Sequence, residues 1–104
     1  MQKTYKATGT VLGNMWGGGK CAYPAITLHN KDYNALIEEA KQLLETGGLD
    51  SGMGYESLTG AILHIDTISE NIVDGKVFCN VETNSEFIGE LSEKDEEFLM
   101  EVYF

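Results

Sequence analysis

Between Asn30 and Gly48 the apolar residues recur at helical spacing, whereas on both sides of that stretch they alternate. Tyr33, Leu36, Ile37, Ala40, Leu43 and Leu44 make one apolar face, and Glu38, Glu39, Lys41, Gln42 and Glu45 lie opposite. Asn30 or Asp32 can cap the start of this helix of about 15 residues, and Gly47-Gly48 can end it. One amphipathic helix cannot bury its stripe alone. The alternating segments around it must supply a sheet, so the pattern selects α+β.

The first alternating segment is residues 4–12, with Tyr5, Ala7, Gly9 and Val11 on one side and Thr4, Lys6, Thr8 and Thr10 on the other. Residues 21–29 read as a second strand in which Ala22, Ile26 and Leu28 share a face. Pro24 assigns that strand to an edge or a bulge. A third strand is expected at 61–68, with Ala61, Leu63 and Ile65 on one face and Ile62, His64 and Asp66 on the other. Asp74-Gly75 marks a hairpin turn, after which Val77, Cys79 and Val81 continue as a strand. A shorter extended piece from Glu86 to Leu91 follows. Ser92 with Asp95 then imitates a capping box for a last helix carrying Phe98, Leu99, Val102 and Tyr103. The expected architecture is a single domain, 1–104: an antiparallel sheet of four to five strands packed with one long helix and one short C-terminal helix.

Charge narrows the partner. The net charge is −10, and its distribution is uneven. Residues 1–31 hold Lys3, Lys6, Lys20 and Lys31 and no acid; the remainder holds all 17 acids against Lys41, Lys76 and Lys94, a balance of 3 − 17 = −14. The chain has no arginine, the residue best shaped to grip phosphate. Direct binding of nucleic acid is therefore not expected, and a protein with a basic surface is. No apolar run reaches the roughly 18 residues of a membrane span, and no signal-peptide core is visible at the start. A cytoplasmic protein without membrane contact is the expectation. Cys21 and Cys79 read as reduced thiols.

Two glycine-rich loops stand out. In the first, Gly13 to Pro24, Met15 and the sole tryptophan, Trp16, precede Gly17, Gly18 and Gly19, and Tyr23 precedes the sole proline. A phosphate-binding P-loop is excluded, because Asn14 and Cys21 stand where glycine and a hydroxyl are needed and Pro24 denies the helix that must follow. A looser cradle of N–H groups for an anion stays open. Trp16 either covers the sheet edge or anchors a partner. The second loop runs from Gly47 to Gly60 and contains Asp50, Ser51, Met53, Tyr55, Glu56 and Ser57. It matches neither a nucleophile elbow nor a calcium loop, so its polar residues read as local hydrogen-bonding groups on a candidate recognition surface.

Cys21, His29, His64 and Cys79 lack the local spacing of a zinc site. No catalytic constellation, metal or cofactor is expected. The run from Glu82 to Glu101, including Glu93, Glu96 and Glu97 and opposed only by Lys94, reads first as a solvated acidic face. Its sharper reading is a surface imitating nucleic-acid phosphates.

The segments Trp16-Gly17-Gly18-Gly19, Tyr23-Pro24-Ala25 and Asp50 to Glu56 resemble small phage and mobile-element anti-defence proteins, nearest to type II-A anti-CRISPR proteins that inhibit Cas9. That resemblance implies a non-catalytic inhibitor acting inside a bacterial host cell, which binds a Cas nuclease and blocks nucleic-acid engagement by stoichiometric occlusion. The resemblance matches no family residue position by position; the candidate contact residues come from the two loops and the acid run themselves: Met15 to Gly19, Tyr23, Asp50, Met53, Tyr55, Glu56, Glu93, Glu96 and Glu97. Two alternatives stand beside it: a sponge that stacks a nucleotide signal on Trp16, Tyr23 or Tyr55, and a structural phage protein. A homodimer is left open.

Overall fold

A computed structural model describes residues 2–50, 52 and 54–103, except the side chains of 102 and 103. In chain order its elements are β1 (Gln2–Asn14), β2 (Lys20–Pro24), β3 (Leu28–Asn30), α1 (Tyr33–Thr46), β4 (Ser57–Val73), β5 (Lys76–Gly89) and α2 (Glu93–Tyr103). The strands form one antiparallel sheet ordered β2-β1-β4-β5, with β3 also paired to β1. The α+β architecture follows the sequence pattern. The helices span 14 and 11 residues.

The two helices lie on opposite faces of the sheet. Neighbouring strand residues point to opposite sides. Val11, Ala61, Leu63 and Ile65 join Leu36 and Ala40 of α1 in the larger core, while Leu12 and Ile62 join Leu99 of α2 in a smaller one. Leu36, Leu49 and Leu99 are fully buried, each worth about 2 kcal/mol of transfer free energy. Asp32 caps α1 by accepting from the Ala35 N–H at 3.2 Å, and Gly47 ends it in the left-handed conformation at φ 82°. Ser92 and Asp95 form the capping box of α2: each side chain accepts from the other's N–H at 3.2 Å.

Three boundaries depart from the sequence reading. The expected strand at 21–29 is two strands: the β1–β2 ladder ends at Pro24, Ala25 donates one last bond to the Gly9 carbonyl at 2.9 Å while bridging to Asp50, and pairing with β1 resumes at Leu28. The expected strand at 61–68 is the middle of a 17-residue β4. The piece at 77–81 and residues 86–89 of the piece at 86–91 belong to one uninterrupted β5 of 14 residues, and Glu90 and Leu91 lie beyond its end. As a result β4 and β5 run past the helices as a long arm, and the molecule measures 59 × 25 × 20 Å.

Candidate partner-binding site

The antiparallel register gathers both glycine loops at one end of the sheet. Asn14 pairs with both Lys20 and Ser57, so the first loop leaves β1 where the second enters β4. Asn14 Nδ2 donates to Ser57 Oγ at 3.0 Å, and the Glu56 N–H donates to the Asn14 carbonyl at 2.8 Å. The start of α2 is tied to the same end by an ion pair between Lys20 Nζ and Asp95 Oδ1 at 3.0 Å.

Gly17, Gly18 and Gly19 take φ values of +92°, +97° and +91° in succession, and a Cβ on any of them would meet nothing within 4 Å. These glycines therefore serve the backbone path rather than a close approach. The Met15 N–H donates to the Gly19 carbonyl and the Gly18 N–H to that of Met15, closing a narrow turn. Trp16 stands 73% exposed at its tip. Of its two expected roles, edge cover and anchor, this position fits the second. Met15 is half-buried beside it.

The second loop is pinned from within. Leu49 is fully buried, and its carbonyl accepts from the Ile26 N–H at 3.1 Å. Asp50 Oδ2 accepts from the Gly54 and Tyr55 N–H groups at 3.0 and 3.4 Å, the local role expected of it. Tyr55 reaches under the first loop, where its hydroxyl donates to the Val11 and Cys21 carbonyls at 3.2 Å each. Burial, helped by the nearby Asp50 charge, pushes its phenol up to about 12. Tyr23 packs at a tilt against that ring, with centroids 6.2 Å apart. Tyr23 and Tyr55 are thus fastened to the scaffold. Met53 and Ser51 lie outside the described residues.

Between the end of α1, the second loop and the β4–β5 rim lies an open cleft of about 780 Å³. Glu45, Asp50, Glu56 and Glu90 line it, with Lys41 as the only cation among its lining residues. The last turn of α1 carries no basic residue, so the negative end of its dipole adds to the same field. On the other face Glu93 and Glu97 of α2 are exposed and Glu96 is half-buried. The Lys20 ammonium and the backbone N–H of Ser92 hold the Asp95 carboxyl below its ordinary range, and Lys20 is engaged in that ion pair. This end offers an aromatic tip and carboxylates on both faces.

Comparison with protein-family models, curated proteins and solved structures finds no match.

Among the described residues no three His, Cys, Asp or Glu side chains are placed to hold a metal ion. His64 sits within the sheet with Nδ1 2.9 Å from Ser85 Oγ, an exposed cross-strand neighbour. Burial holds its imidazole below the ordinary pKa, against the pull of Asp66. Neither residue lines the cleft. Glu45, Glu90 and Asp95 were not singled out as site residues by sequence. The helical face opposite the stripe and the acid run contained them, but only the fold shows which carboxylates meet.

Proposed function

We propose that this protein is a non-catalytic, stoichiometric inhibitor that works by occupying a basic surface of a bacterial defence nuclease. The candidate target is a Cas9-type enzyme in the host cytoplasm, in line with the resemblance of the two loop segments. The observation that carries this reading is the convergence of an exposed Trp16 with the acid-lined cleft at one end of the sheet. A large aromatic anchor flanked by carboxylates suits a groove built from lysine and arginine. The same carboxylates oppose an anionic nucleotide, which disfavours the sponge reading.

The test is titration of purified Cas9–guide complex with the protein at about 50 mM and about 500 mM salt, read by calorimetry and by DNA cleavage. The expected result is one-to-one binding at low salt, loss of cleavage, and affinity falling with salt. Trp16→Ala is expected to weaken binding at least tenfold, while its unfolding free energy in urea stays within about 0.5 kcal/mol of the parent because the ring is exposed. Absence of binding at low salt refutes this target. Binding unchanged by Trp16→Ala refutes the proposed anchor.

A further inference from the structure

The two edges of the sheet are built differently. On one side β2 and β3 are short, 5 and 3 residues, and β2 contains Pro24. Short strands and proline are the devices that keep an edge from pairing with another chain. On the other side β5 runs 14 residues without proline, and its register with β4 holds without a bulge from Lys76 to Gly89. Among the described residues its strand pairing is with β4 alone.

The turn fixes which backbone groups are on offer. Asp74 and Gly75, both at positive φ, make a two-residue turn that closes on the Val73–Lys76 pair. Hydrogen-bonded pairs alternate from there, so even-numbered residues of β5 bond to β4. The N–H and C=O groups of the odd-numbered residues, Val77 to Gly89, point outward, and the side chains of all these residues are exposed.

We propose that this edge pairs with the same edge of a second copy, antiparallel about a two-fold axis at Thr83. In that register Phe78 faces Ile88 of the second copy, Lys76 faces Glu90, Asn80 faces Glu86 and Glu82 faces Asn84. Every glutamate of the strand thus meets an amide, and the one lysine meets an acid just past the strand end. Sliding the register by two residues sets Glu82 against Glu82 in one direction and against Glu86 in the other. A slide of one residue turns the outward groups out of phase. Longer slides leave part of the edge bare. The chosen register uses all of β5 and forms about fourteen main-chain hydrogen bonds. It also brings Phe78, 55% exposed in the single chain, beside the buried Ile88 of the other copy. The contact is isologous, so it closes at two chains and leaves neither β5 edge free.

Sedimentation of the full chain from about 1 to 200 μM tests this. The expected species has twice the 11.4 kDa chain mass. Val81→Pro removes one outward N–H and no bond to β4, and is expected to give a monomer with an unchanged circular dichroism spectrum. Independently of how that variant folds, Thr83→Cys in a Cys21→Ser, Cys79→Ser background is expected to cross-link to a covalent dimer under oxidised glutathione, because facing residues lie about 5.5 Å apart. Val77→Cys in the same background, far from its own copy, is expected to stay uncross-linked. A wild-type monomer at 200 μM, or a cross-link through position 77 in place of 83, overturns the proposal. Neither readout involves a nuclease, so the outcome is independent of the proposed function.

Discussion

Replacing Tyr55 with Phe tests the idea that this ring is a structural clasp between the two loops. The substitution keeps the ring against Tyr23 and removes one hydroxyl, which donates to the Val11 and Cys21 carbonyls at 3.2 Å each. One proton shared between two acceptors counts as about one net hydrogen bond, so the loss is about 1 kcal/mol. The pH dependence supplies a second, separate signature. The phenol titrates near 12 in the folded protein against 10.0 for a free tyrosine, chiefly through burial and then through Asp50. A folded pKa above the unfolded one means that folding favours the neutral phenol. That contribution is whole below pH 10 and is lost as pH rises through about 12. Two units correspond to a ceiling of about 2.7 kcal/mol, and solvent screening of this half-buried group reduces the expected share to about 1 kcal/mol. Urea denaturation followed by far-UV circular dichroism at pH 8 and pH 11 measures both effects. The wild type is expected to lead Tyr55→Phe by about 1 kcal/mol at pH 8 and to lose most of that lead at pH 11, since all other ionisable groups are common to both proteins. Equal stability at pH 8, or a lead that grows at pH 11, refutes the clasp.

Gly9→Ala is expected to cost about 3 kcal/mol in the same assay, because a Cβ there would run into the Ile62 carbonyl and force β1 away from β4; a cost below about 1 kcal/mol would mean that the strands can part without loss. Asp95→Asn breaks the ion pair with Lys20 and is expected to lower the melting temperature at pH 7. The Asp95 carboxyl titrates below its ordinary value when folded, so its contribution is present above about pH 4 and is lost as pH falls through the folded pKa. The variant's melting temperature is therefore expected to approach the wild type's in acid, and a deficit that persists there refutes the ion pair as its source.

Wherever burial and backbone chemistry coincide, the sequence announces the structure. The helix from Tyr33 to Thr46 has both an apolar stripe and its caps at Asp32 and Gly47, and Asp74-Gly75 has the positive-φ turn chemistry that joins two strands through two residues. The loops were legible as loops, and the positive φ values of Gly17 to Gly19 explain why glycine is there. Their meeting was not legible. It depends on register, with Asn14 opposite Ser57, and on an ion pair between Lys20 and Asp95, 75 residues apart. No local pattern encodes either contact.

The arm was hidden for a different reason. Alternation in a sequence reports which side chains leave water, not which backbones pair. In β4, Thr67, Ser69 and Asn71 extend the face of Ala61, Leu63 and Ile65 with polar side chains, and in β5, Glu82, Thr83, Asn84 and Ser85 put polar residues on both faces, so the pattern fades while the ladder continues. Past Glu70, where β1 ends, only two strands remain, and they leave Ile72, Val77 and Phe78 exposed. A two-stranded ribbon of that kind is marginal by itself in water. These exposed apolar residues are therefore where a further strand would add most, and the outward backbone groups of β5 provide the place for it.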